Sequence, residues 1–260
     1  MSNTNSYFSK SLEKGLKILA LFNRETPMLT QSEIAKALDL NMTSTYRYIN
    51  TLVELGFLEK DRKNKEIRPA VHCLLFCTNL MRATDHLRLI KRMVDTLHGQ
   101  HNITIDVAFA VDDTMVRIYN RDAKETLTYS LPDFSKNCLH NTALGKAYLS
   151  SLSADEIRAK VETMTLVAKT KKTITDRSRL VAELLKARKQ GFALAEEEYL
   201  PGLISIAAPL VDPGTGKGVG SICFDFSILQ NSAEDIKAHY SEMIVTVAAE
   251  LSRLLPPDRK

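Results

Sequence analysis

Residues 29–57, LTQSEIAKALDLNMTSTYRYINTLVELGF, constrain the fold of this chain more than any other stretch. Two helical apolar patterns flank Asn41-Met42-Thr43-Ser44-Thr45, a run poor in charge that is too polar for a core and lacks the Gly or Pro of a plain loop. The first pattern opens on Thr30-Gln31-Ser32-Glu33, a capping box in which the Thr30 hydroxyl and the Glu33 carboxylate satisfy otherwise unpaired amides. It carries Ile34, Ala35 and Leu38 on its apolar face. The second pattern carries Ile49, Leu52 and Leu55 inward and closes at Gly56, a residue suited to the position just past a helix. An earlier helix, with Leu12, Leu16, Leu19 and Phe22 at helical spacing and Ser11 as its N-cap, stops at Thr26-Pro27.

Two short helices joined by a tight turn, the second apolar only in its later turns, describe a helix-turn-helix. Its leading turn is polar because it enters a DNA major groove instead of a core. The reading nominates Thr30, Gln31, Asn41, Thr43, Ser44, Thr45, Tyr46, Arg47 and Tyr48 as DNA-facing residues, a set of neutral and basic hydrogen-bonding groups at helix starts. The competing reading is a capped surface helix in some other small helical domain. The segment after Gly56 weighs against it. Phe57–Lys60 and Ile67–Pro69 form a β-hairpin wing whose tip gathers Lys60, Arg62, Lys63, Lys65 and Arg68, cations suited to backbone phosphates. The whole chain has a formal net charge of +4, and residues 1–69 hold eleven Lys and Arg against eight Asp and Glu. Most of the excess charge therefore sits in this segment.

A length of 260 residues with 44% hydrophobic and 25% charged side chains bounds the rest: one large or two smaller globular domains. No apolar run approaches the roughly 18 residues of a membrane span, and the start MSNTNSYFSKSLEKG has no signal-peptide core. Cytoplasmic localisation and no membrane partner are expected. Cys73, Cys77, Cys138 and Cys223 form no framework and read as reduced, buried structural thiols.

Beyond Pro69, apolar residues at helical intervals from Val71 to about His101 predict a linker helix and the first helix of a second domain. Strands are expected over 103–110, 114–119 and 126–129, with Asp112-Asp113 as a hairpin turn. Helices are expected over 142–150, 154–161 and 177–190, then strands over 203–211 and 217–226, and a last amphipathic helix over 233–255. Antiparallel strands flanked by helices make an α+β domain. Gly214-Thr215-Gly216-Lys217-Gly218 lacks the spacing of a phosphate loop and reads as a turn. Cys138 and His140 lack a third orienting group for nucleophilic catalysis. Glu196-Glu197-Glu198 reads as a solvated turn, not a metal cluster. No catalytic residue, metal or cofactor is expected.

Several segments resemble the IclR family of bacterial transcriptional regulators. They are the opening Ser11-Leu12-Glu13-Lys14-Gly15-Leu16-Lys17-Ile18-Leu19, the order LTQSEIAKALDL then STYRYINTLVELGFLEKD, and LHNTALGKA at 139–147. Gly191-Phe192-Ala193, Glu197-Glu198 and GLISIAAP at 202–209 complete the set, so the resemblance spans nearly the whole chain. It implies a winged helix-turn-helix over 9–70, a linker helix over 71–88, and a GAF-like effector-binding and oligomerisation domain over 89–256. It also implies a double-stranded DNA operator, a homodimer or homotetramer joined through helix one and the linker, and a small-molecule effector, a carboxylic acid. The effector pocket it implies involves His140, Asn141, Ala143, Leu144, Glu197, Ser205, Cys223 and Asp225. The chain departs from the family where Asp39 stands in place of a frequent Gly, and where Cys223-Phe224-Asp225 replaces a frequent Ser-x-Ser. The alternative function is a winged-helix DNA-binding protein whose second domain serves only assembly.

Overall fold

The computed structural model describes residues 7–23, 26–111, 113–124 and 138–256. The strand expected over 126–129, and Asp112 of the expected hairpin turn, lie outside the described residues. The chain divides into two compact units, Met1–Asp85 and His86–Lys260.

The first unit contains α1 (Lys10–Leu19), α2 (Gln31–Ala37), α3 (Met42–Glu54), the strands β1 (Leu58–Lys60) and β2 (Ile67–Pro69), and α4 (Val71–Arg82). Its core is economical: Ile18, Ile34, Ile49, Leu58 and Ile67, one aliphatic from each of the first five elements, are fully buried against one another. Leu29 bridges Ile67, adding a third edge to the wing. Both N-terminal signals of the helix-turn-helix are realised. The Thr30–Glu33 capping box is formed reciprocally, and the Asn41 side chain accepts from the Ser44 amide at 2.8 Å. The turn between them places Asp39 in the left-handed region at φ 50°, a conformation Asp tolerates better than most side chains.

Several local expectations are corrected. Ser9, not Ser11, caps α1, accepting from the Leu12 amide at 3.3 Å. Leu12 and Leu16 are exposed while Ile18 is buried, because residue 18 lies about 200° around the helix from residue 16. Leu55 likewise points outward, at the C-cap of α3. The linker helix ends at Arg82, where the Thr84 hydroxyl bonds back to the Leu80 carbonyl at 2.7 Å, a local bond that competes with helix continuation. Not every thiol is buried either: Cys77 is exposed and Cys73 half-buried, because α4 leaves most of its surface uncovered within this unit.

The second unit contains α5 (Asp85–His101, its first residue at the boundary), β3 (Thr104–Val111), β4 (Thr114–Arg121), α6 (Ala143–Ser150), α7 (Ala154–Thr163) and α8 (Arg177–Gln190). β5 (Ala193–Glu196), β6 (Leu203–Val211), β7 (Gly218–Ser227) and α9 (Ala233–Leu254) complete it. The strands form one antiparallel sheet in the order β4-β3-β7-β6-β5. Sequence pattern does not reveal β5, which is short and lacks β-branched residues.

Strict alternation gives the sheet two unlike faces. One carries Ile105, Val107, Ile204, Ile206, Ile222, Phe224 and Phe226 and packs against α5 and α9. The other carries Asp106, Ala108, Ala195, Ser205, Ala207, Ser221, Cys223 and Asp225 and faces the layer of α6, α7 and α8. Small side chains there let α6 lie close on β6 and β7. The Ser221 hydroxyl anchors it, donating to the Leu144 carbonyl at 2.9 Å.

Candidate functional site

The recognition surface of the first unit is set by the phase of α3. Asn41, Met42, Thr43, Tyr46 and Arg47 are exposed, Ser44 and Tyr48 are half-buried, and Ile49 is in the core. Thr45 is fully buried and its hydroxyl donates to the Asn41 carbonyl at 3.0 Å. It therefore supports the turn and presents nothing to a groove. Tyr48 also packs against the core. Thr30 and Gln31 are positioning groups: Thr30 is spent on the capping box, and the Gln31 amide donates to the Met42 carbonyl at 3.2 Å, tying the start of α2 to the start of α3.

The wing lies beside this surface, with the Lys60 ammonium 5.9 Å from the centroid of the Tyr46 ring, within reach of a cation–π contact. Its tip is ordered by Asp61, whose carboxylate accepts from the Lys63 amide at 2.7 Å and the Asn64 amide at 3.1 Å. The Asn64 and Lys63 amides hold that carboxyl below its ordinary value. Arg62, Lys63, Lys65 and Arg68 are exposed, and Arg68 pairs with Glu59 on the facing strand.

The second unit contains a narrow, partly open cavity of about 20 Å³, lined by Asn141, Ala143, Leu144, Glu198, Ser205 and Asp225 among others. Cys223 also lines it, so six of the eight expected effector residues converge there. The two that do not are His140 and Glu197. The His140 ring is buried, with Nε2 3.0 Å from the Val167 carbonyl, and does not line the cavity. Glu197 sits at φ 52°, which turns its carboxylate to the Gly202 amide at 2.8 Å and to Lys172. The next carboxylate, Glu198, points the other way into the protein. The acidic run is therefore not a solvated turn throughout.

Glu198 pairs with Lys146, and both are buried. Burial pushes the Glu198 carboxyl up, against the pull of the Lys146 ammonium. Sequence reasoning assigns a site role to neither residue, although a signal exists. Lys146 is the lone charge in ALGKAYLS, a helix otherwise of small, apolar or neutral residues.

Behind the cavity, Asp106 and Asp225 stand on adjacent strands, on the same face and two residues out of register. The Asp225 carboxylate accepts from Ser205 at 2.6 Å and Cys223 at 3.2 Å. Asp106 accepts from Asn120 at 3.1 Å and Arg117 at 3.3 Å, leaving its other oxygen with no donor. A protonated Asp225 supplies one. Burial and then the Asp106 charge push the Asp225 carboxyl up to about 8; burial also raises Asp106, which Arg117 opposes.

The consequence for stability has a definite sign. The folded chain holds a proton on Asp225 that the unfolded chain has released above about pH 4, so this contribution declines as pH rises and is lost by about pH 8. Asp225→Asn is expected to remove the decline. Its stability advantage over the wild type, read from urea unfolding, should widen toward pH 8 by at most about 1.4 kcal/mol per pH unit. Equal slopes for the two proteins would show that the pair is not protonated.

A helix-turn-helix with a basic wing, coupled to an α+β unit with an internal polar cavity, defines a DNA-binding transcriptional regulator. The chain belongs to the IclR family: the family model described as "Bacterial transcriptional regulator IclR C-terminal" matches residues 79–253, and "IclR helix-turn-helix domain" matches residues 11–62. It is 26% identical over 248 residues to the HTH-type transcriptional regulator BhcR of Paracoccus denitrificans, covering 95% of this chain and 88% of that one. Its fold resembles the crystal structure of an IclR transcriptional regulator from Alicyclobacillus acidocaldarius, with TM-score 0.82, 19% identity, and coverage of 95% and 99% of the two chains. It also resembles an IclR homologue from Microbacterium hydrocarbonoxydans complexed with 4-hydroxybenzoate, with TM-score 0.73, 19% identity, and coverage of 94% and 98%. Among the described residues no helix is long and apolar enough to cross a membrane.

Proposed function

We propose that this protein is a one-component regulator whose operator binding is controlled by a small organic acid held in the second unit. The observation that carries the reading is the internal cavity, where the buried polar atoms Asn141 Oδ1 and Glu198 Oε2 have no hydrogen-bond partner. Buried polar groups are normally satisfied, and a ligand satisfies these. The α6 N-terminus at Ala143 and Leu144 supplies amides that helix geometry leaves without carbonyl partners, a receptor for a carboxylate. A homologue of related fold is complexed with 4-hydroxybenzoate, which supports an organic acid as the class of effector. At about 20 Å³ the cavity has room for about one water. The acid therefore binds a wider conformation, which is the differential affinity a ligand needs to shift an equilibrium. So narrow a cavity also favours a second reading, assembly without sensing, but its polar lining argues against that.

Residues 9–70 are the proposed DNA-binding domain, with Asn41, Thr43, Tyr46 and Arg47 in the major groove and the wing cations on phosphates. Residues 71–88 are the proposed linker, followed by the sensing and assembly domain to residue 256. Two recognition helices must reach major grooves about 34 Å apart, which calls for a dimer. The exposed Leu12 and Leu16 of α1, with Val71, Leu74 and Leu80 of α4, supply apolar surface for it. Gel-shift titration of the operator with and without candidate acids, in the wild type and in Asn141→Leu, tests the sensing. An acid that alters the affinity of both proteins equally would place its action elsewhere.

Arg47→Ala is expected to lower operator affinity by about 1–3 kcal/mol and relax sequence choice. Lys63→Ala is expected to weaken operator and random DNA alike and to reduce the log-affinity against log-salt slope by about one. Binding isotherms at several salt concentrations separate the two. An unchanged preference among oligonucleotides in Arg47→Ala would remove it from the base-reading set.

A further inference from the structure

We propose that Asp225 ties effector capture to protons. The second unit takes its anionic effector with the Asp225 carboxyl protonated, and binding draws in a proton wherever Asp225 starts out ionised. Operator control therefore weakens as pH rises. This rests on the sensing function proposed for the second unit and adds the proton that accompanies the ligand.

Asp225 differs from the other charges around it in having no counter-charge. The Asp106 carboxylate of β3 has the Arg117 guanidinium of β4 at 3.3 Å. Glu198, just after β5, is paired with Lys146 of α6. Asp225 on β7 has neutral donors instead, the Ser205 hydroxyl of β6 at 2.6 Å and the Cys223 thiol at 3.2 Å. Burial pushes that thiol up, so it stays a neutral donor. Among the described residues no cation pairs with Asp225. Both donors go to Oδ1, which leaves Oδ2 to carry a proton, and the buried Asp106 Oδ2 has no donor.

The remaining titratable groups near Asp225 are Tyr199, in the same narrow cavity, and His101 of α5 and Tyr240 of α9, in an adjoining one. Asp225 lines both spaces. The adjoining cavity of about 240 Å³ is bordered by the exposed Asn102 and Gln230, which gives the carboxyl a path for proton exchange with solvent.

A ligand carboxylate in the narrow cavity puts a second negative charge near Asp225. Like charges in a poorly solvated site disfavour joint ionisation, so the complex holds the Asp225 proton more firmly than the empty protein does. Burial and the Asp106 charge already push that carboxyl up to about 8 before any ligand arrives. Below roughly pH 7 Asp225 is protonated in both states and affinity is flat. At higher pH the empty protein has released a proton that the complex keeps, and affinity falls by up to about tenfold per pH unit.

The test is calorimetric titration of the full-length protein with benzoate, pyruvate, lactate and gluconate, acids that stay ionised throughout the range. For an acid that binds, affinity should be level from about pH 6 to 7 and drop about fivefold between about pH 8 and 9. At about pH 8.5 the heat should differ between two buffers of unlike ionisation enthalpy, reporting uptake of more than about half a proton. Asp225→Asn should bind with no such drop. Asp106→Asn, which removes the charge that helps hold the proton, should move the drop to lower pH. Buffer-independent heat in the wild type, or a drop that persists in Asp225→Asn, would overturn the proton link and leave sensing intact. If no acid binds at any pH, the sensing reading fails and this inference fails with it. Should Asp225→Asn not fold, the direction of the shift in Asp106→Asn decides.

Discussion

Lys146→Met is expected to destabilise the second unit by about 3–5 kcal/mol, among the larger effects a single substitution produces. Lys146 is 1% exposed and its partner Glu198 is 7% exposed. Removing the ammonium strands a buried carboxylate without its counter-charge, and the expected loss is the desolvation left uncompensated, not the intrinsic value of the pair. The carboxylate can escape only by taking a proton. Its folded-state pKa, already raised by burial, then rises further because the ammonium that pulled it down is gone. The variant should therefore lose stability as pH rises above the ordinary glutamate value of about 4.5, and the loss should continue to the elevated folded value. Adding Glu198→Gln removes the stranded charge, so the double variant should regain most of the stability and lose the pH slope. Urea unfolding of the four proteins of this cycle measures both results. A single variant within about 1 kcal/mol of wild type would mean the pair is solvated.

Gly145→Ala is expected to destabilise by about 1–3 kcal/mol or more and to abolish any effector response. In an ordinary helix interior the same change stabilises by roughly 0.5–1 kcal/mol, since Ala loses less conformational freedom. Here a Cβ would overlap the Leu139 α-carbon and carbonyl, which are main-chain atoms without a rotamer to yield. Relief requires α6 to lift from the loop before it, and that shift moves the Ala143 and Leu144 amides at the cavity. Gly15, in α1, provides the contrast: nothing lies within 4 Å of its added Cβ, so Gly15→Ala should follow the ordinary rule. Thermal unfolding of both variants reads the opposite signs. A Gly145→Ala protein as stable as wild type would show that α6 is not pinned at that loop.

The winged unit is largely legible in the sequence because its signals are local. The capping box at Thr30, the polar first turn after Asn41 and the paired strands of the wing each span a few residues. Helix phase is what misleads. Leu12 and Leu16 look like core, and an apolar stripe does not say whether its own domain or another chain covers it. Thr45 looks like surface, yet one step of about 100° from Ser44 carries it inside. In the second unit the order of elements is readable, but the cavity is not fully so, because it is assembled by contacts distant in sequence. Lys146 reaches a partner 52 residues away, and Asp106 meets Asp225 only through strand pairing. The choice between Glu197 and Glu198 turns on a single left-handed backbone angle, which composition does not reveal.

The narrowness of the cavity sets a clock. A pocket with space for about one solvent molecule is too narrow for an organic acid, so occupancy waits on a spontaneous widening of the protein. Stopped-flow traces should then show rates that level off as acid concentration rises, the plateau being the opening frequency itself.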